Sequence, residues 1–78
     1  MRITDFATAY DKLESEIVVA VLIASTFEYG YWKHYHALVY RVVSITPHEI
    51  SFQNVNHESE WLTLREKSFT SGQFRVEY

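Results

Sequence analysis

The run "IVVAVLIA", Ile17 to Ala24, constrains this chain more than any other stretch. Its eight apolar residues need burial but fall far short of the roughly 20 that span a bilayer. Ile17, Val18, Val19, Val21 and Ile23 are β-branched and lose rotamer freedom in a helix, so the sequence predicts a strand over residues 17–26. A helix continuing to about residue 24 is the alternative. Asp5, Asp11, Glu14 and Glu16 precede the run where a signal peptide would carry basic residues, so the expected location is cytoplasmic.

Upstream, "TDFATAYDKLES" spaces Phe6, Tyr10 and Leu13 at helical intervals behind Thr4 or Asp5, either of which can accept the first unpaired N–H groups. A helix is expected over residues 4–15. Downstream, the chain can turn at Gly30, and Pro47 suits the second position of a tight turn. Residues 32–45 and 49–55 therefore form the best hairpin candidate. The polar cluster "NVNHESE" gives another turn, and "EWLTLRE" and "GQFRVEY" read as two more strands. In the last, Phe74, Val76 and Tyr78 alternate with Gln73, Arg75 and Glu77, which implies one buried face and one wet face.

The expected fold is thus a single α+β domain over residues 1–78. An N-terminal helix is followed by about five short antiparallel strands in a strongly bent sheet or a small barrel of SH3-like or Sm-like layout. Its expected core comprises Leu13, Val19, Val21, Val39, Val43, Ile50, Phe52, Leu62, Leu64, Phe74 and Val76.

A chain of 78 residues buries only about 60% of the surface its unfolded form exposes. The two Trp, six Tyr and five Phe compensate, because large rings remove much apolar area from water. Cysteine is absent, which excludes disulfides, thiolate-bound zinc and thiol catalysis. Gly30 and Gly72 are the only glycines, too few for phosphate-cradling loops, nucleophile elbows or dinucleotide fingerprints. No catalytic residues and no cofactor are expected. Glu58 and Glu60 flank Ser59, a spacing that an ordinary solvated turn explains.

The net charge of −3 divides unevenly: −3 over residues 1–28, +1 over 29–57 and −1 over 58–78. No segment carries the basic footprint of a phosphate-binding groove. His34, His36, His48 and His57 all lie in the middle segment. His34 and His36 supply half of a tetrahedral ligand set, and His57, Glu58 or Glu60 would have to complete it from a distant turn, so no metal is expected.

The richest stretch is "YGYWKHYHALVY", Tyr29 to Tyr40. On a regular strand, Tyr31, Lys33 and Tyr35 share one face, and Trp32, His34 and His36 the other. Tyr and Trp offer large contact areas with a polar tip, and exposed clusters of them mark interfaces. Tyr29, Tyr31, Trp32, Lys33 and Tyr35 are accordingly the candidate partner-binding residues. The expected function is that of a small non-enzymatic binding or regulatory protein acting through protein–protein contact. A protein partner is favoured, and a homo-oligomer joined through sheet edges is one form of it. The alternative is single-stranded nucleic-acid binding through an aromatic sheet surface, which a net acidic chain favours less. No membrane partner is expected.

Overall fold

Gly30 and the residue before it set the longest element. Tyr29 and Gly30 both adopt positive φ, at 52° and 84°. A two-residue turn of that hand matches the twist of the strands it joins. In the computed structural model, which describes residues 1–78, it joins β2 (Val18–Glu28) to β3 (Tyr31–Ile45). The β-branched run is therefore a strand, as its composition requires.

Around this hairpin the remaining elements are β1 (Arg2–Ile3), α1 (Phe6–Lys12), β4 (Ile50–Asn54), β5 (Trp61–Leu64), α2 (Glu66–Thr70) and β6 (Phe74–Glu77). The strands form one antiparallel sheet of order β1-β6-β2-β3-β4-β5, curled into a half-barrel. β6 returns beside β2, as a small-barrel layout requires, but the edge strands β1 and β5 do not pair, so the sheet stays open.

Two features depart from the expected order. The helix is preceded by a strand, giving six strands rather than five, and a second short helix lies between β5 and β6. Neither was visible as a pattern. β1 has two residues, too few for alternation, and forms because Arg2 and Ile3 meet Glu77 and Val76 across the sheet edge. α2 is a single turn and a half with one buried residue, Phe69. Its start is held by the Ser68 hydroxyl, which accepts from the Arg65 N–H at 3.1 Å.

The local signals of the sequence correspond to specific bonds. Asp5 caps α1, its carboxylate accepting from the Thr8 N–H at 2.8 Å and the Thr8 hydroxyl at 2.9 Å. The helix is shorter than expected because Leu13 is already extended, turning its side chain into the core. Pro47 occupies the second position of a turn closed by the Thr46 N–H donating to the Glu49 carbonyl at 2.9 Å. In the "NVNHESE" loop, Asn54 Oδ1 accepts from the N–H groups of Asn56 and His57 at 2.8 and 3.1 Å. That double acceptance explains why a buried asparagine is tolerated at the end of β4.

Both helices contribute to one core against one face of the sheet: Ala9, Leu13 and Phe69 join Ile3, Val19, Val21, Tyr40, Val42, Ile50, Phe52, Leu64 and Val76. Of the expected core, Leu62 and Phe74 are half-buried against this cluster and Val43 is half-buried. Val39 is a correction. It is 39% exposed on the opposite face of β3, which no helix covers. Val43 sits at a register shift between Val42 and Ser44, and beyond it Ile45 shares the inner face with Ile50. One extra residue in the strand moves Ile45 to the other side.

This division gives a direct test. Phe52 is completely buried, and Phe52→Ala should destabilise by about 3–5 kcal/mol. Val39→Ala, on the open face, should stay within about 0.5 kcal/mol of the parent. Urea unfolding of both variants measures the contrast, and equal effects would contradict the two-faced sheet.

Candidate functional site

The hairpin outruns its neighbours. β6 pairs with β2 only over Ala20–Ile23, and β4 pairs with β3 only from Tyr40 onward, so the end of the hairpin projects as a two-stranded ribbon. All five candidate partner-binding residues lie on it.

Their arrangement differs from regular alternation. The β2–β3 register shifts between Ala24 and Thr26 and again between Thr26 and Phe27, leaving Ser25 and Lys33 as extra residues. Beyond Lys33, Trp32 pairs with Phe27 rather than lining up with His34, and it falls on the face of Tyr35. The expected grouping of Tyr31, Lys33 and Tyr35 is therefore broken, and the five residues form two clusters.

The first cluster is at the tip. Tyr29 is 88% exposed and Tyr31 54%. The Lys33 ammonium lies 5.3 Å from the Tyr29 ring centre and 6.0 Å from that of Tyr31, and 3.1 Å from the Glu28 carboxylate. Lys33 thus organises the two rings while Glu28 neutralises its charge.

The second cluster is anchored. The Trp32 indole N–H donates to the Ser71 carbonyl at 2.6 Å, and the Tyr35 hydroxyl donates to the Gly72 carbonyl at 2.7 Å. The Arg75 guanidinium stacks on Tyr35, 3.7 Å from the ring centre. Phe27 lies 4.9 Å from Trp32, centre to centre, and is itself 57% exposed. Trp32 and Tyr35 therefore fasten the ribbon to the α2–β6 turn. Phe27, not singled out in the sequence, supplies the free ring on that side. Its strict alternation with Thr26 and Glu28 gave no signal, because only the shifted register places it opposite Trp32.

Below the ribbon the same side of the sheet continues as an uncovered apolar surface. Leu22 faces Ala37, Ala20 faces Val39, and Val18 faces Arg41 across the β2–β3 pair. Val18 and Trp61 are more than half exposed.

Other constellations are structural or incomplete. His34, His36, His48 and His57 are all exposed, and no three His, Asp or Glu side chains gather around one point. Glu60 is exposed, and the Asn54 amide donates to its carboxylate at 3.4 Å. Burial first, and the Glu60 carboxylate second, push the Tyr40 phenol above its ordinary value, with Asn54 acting the other way. A shallow recess between the helices is lined by Asp5, Phe6, Ala7, Glu66 and Thr70. Both Asp5 oxygens there are engaged by Thr8. No helix is long and apolar enough to cross a membrane.

Comparison with protein-family models, with curated proteins and with solved structures finds no match to this chain.

Two outcomes follow from this geometry. Gly72 has φ of 78°, and a Cβ there would stand 3.0 Å from Trp32 Cδ1. Gly72→Ala should cost about 1–3 kcal/mol through backbone strain and displacement of the indole, visible as a lowered melting temperature. Separately, a phenol with a raised value resists ionisation in the folded state. Its contribution to stability is complete below about pH 10 and is lost as pH rises further. Tyr40→Phe should remove this contribution, so the stability difference between parent and variant should narrow or change sign above that pH in alkaline melts.

Proposed function

We propose that this chain is a small non-enzymatic binding or regulatory protein that acts by protein–protein contact through the β2–β3 hairpin. The observation that carries this reading is the uncovered outer side of that hairpin. Phe27 lies at its upper end, Leu22, Ala37, Ala20 and Val39 in the middle, and Val18 at the base. An aliphatic centre bordered by aromatic and charged side chains has the anatomy of a protein interface. Tyr29 and Tyr31 add exposed amphipathic rings at the tip, Tyr31 on the other side of the ribbon from Phe27.

The arrangement supports protein over single-stranded nucleic acid for two reasons. Base stacking needs open aromatic faces, and Arg75 occupies one face of Tyr35 while Gly72 takes its hydroxyl. Phosphate tracking needs a row of free cations, and Lys33, the one cation at the tip, is paired with Glu28.

The test is a photo-crosslinking residue placed at Tyr31 or at Val39 in the native cell. Adducts at either position should be destroyed by protease and survive nuclease. Adducts removed by nuclease, together with steeply salt-dependent binding of a mixed-sequence single strand, would replace this reading with nucleic-acid binding.

A further inference from the structure

The register assembles the outer face of the sheet in rows. Arg75, Leu22 and Ala37 lie side by side across β6, β2 and β3, followed by Glu77, Ala20 and Val39. The third row runs Val18, Arg41, Gln53 and Trp61 across β2 to β5. At the sheet edge Arg2 stands opposite Glu77 and pairs with it at 3.5 Å.

The charges on this face do not cancel. Arg2 and Glu77 neutralise one another, whereas Arg41 and Arg75 form no ion pair. The residues of these rows and the edge therefore sum to +2, and since the whole chain is −3 the rest of the chain carries −5. Both arginines are half-buried. Stacking on Tyr35 fixes the plane of the Arg75 guanidinium but uses only its flat face. The Nη donors are left without an acceptor in the chain and are open to an approaching group, while Nε is enclosed and unpaired. A guanidinium held this way is prepared for a carboxylate, whose two oxygens match its fork. Arg41 stands at the diagonally opposite corner. Four residues along the strands and two strand spacings separate the pair, roughly 16 Å between Cα positions.

We propose that this outer face docks a partner protein through an acidic, aliphatic segment. The partner's apolar side chains cover Leu22, Ala37, Ala20, Val39 and Val18, and its carboxylates meet Arg41 and Arg75. This rests on the reading of the chain as a protein-contact module and adds the chemistry of the partner. Two isolated cations around an aliphatic centre suit separate carboxylates, whereas a phosphate backbone requires a continuous series of cations. The acidic remainder of the surface repels such a segment elsewhere, so it is directed to this face.

The experiment is selection of random linear peptides displayed on phage against the immobilised full chain, followed by affinity measurement with the enriched peptides. Enriched sequences should combine Asp or Glu with Leu, Ile or Val. Their affinity should fall about tenfold or more in Arg41→Glu, and similarly when the peptide's carboxylates become amides. Arg75→Gln should weaken binding in the same direction. Because Arg75 also stacks on Tyr35, the decisive variant is Arg41→Glu, with its fold checked by thermal melt. Lys67→Glu makes the same charge reversal on α2, on the helix side, and should leave affinity unchanged. Enrichment of neutral or basic peptides, enrichment of none, or equal effects of Arg41→Glu and Lys67→Glu would overturn the proposal. So would a concentration-dependent dimer in sedimentation that Val39→Asp dissociates, since the face would then hold a second copy. Protease-sensitive adducts at Val39 combined with such a failure would leave protein contact standing and remove only the acidic chemistry. Nuclease-sensitive adducts would remove both.

Discussion

Two helices of seven and five residues can cover one face of a six-stranded sheet and no more. Most of what distinguishes this protein follows from that shortage. The inner face closes completely around Phe52, Val21, Val42, Ile50, Leu64 and Val76, each without measurable exposure. Away from Ala24 and Tyr35, where the α2–β6 turn is fastened, the outer face has no covering layer, so the apolar residues at Val18 and Val39 remain in contact with water. In a larger domain a second layer would bury them. Here the apolar side chains of the outer face stay at the surface.

The curl of the sheet depends on small irregularities in its longest strands. Extra residues at Ser25, Lys33 and Val43 bend the hairpin and increase its local twist. The same shifts decide which side chains meet. The shift at Lys33 brings Trp32 over to Tyr35, so that both can reach the carbonyls at Ser71 and Gly72. The turn after α2 is consequently fastened to the ribbon, and Gly72 has the left-handed backbone that lets the indole lie against it. Structural anchoring and surface display are thus separated within one aromatic stretch: Trp32 and Tyr35 are fastened to the α2–β6 turn, while Tyr29 and Tyr31 stay exposed around a neutralised lysine.

How much of this was legible depends on the range of the interaction involved. Asp5 capping, Pro47 in its turn and the polar loop after Asn54 are settled within a few residues, and each was readable from residue type. The strand character of Ile17–Ala24 and the burial of Phe52 were also readable, because β-branching and alternation are properties of the segment itself. β1 and α2 were not, since both owe their form to partners far along the chain. The candidate site was legible as a location but not as a surface. Its five residues do sit on one exposed ribbon, yet a one-residue register shift reassigns their faces, and no local pattern marks such a shift. Arg41 and Arg75 had no signal at all, being 34 positions apart in sequence.

The sequence by itself determined that the chain folds as a helix-bearing antiparallel sheet, where its turns fall, and that its aromatic residues concentrate near one hairpin. These are consequences of rotamer entropy, capping chemistry and periodicity, which act locally. Tertiary structure alone decided which face of the sheet the two helices cover. It also decided which rings are anchored and which are free, and that two unpaired arginines share the open face with Leu22, Ala20 and Val39. The physical reason is that cross-strand neighbours are set by register, and register is fixed by the cooperative packing of the entire core, not by any segment taken alone.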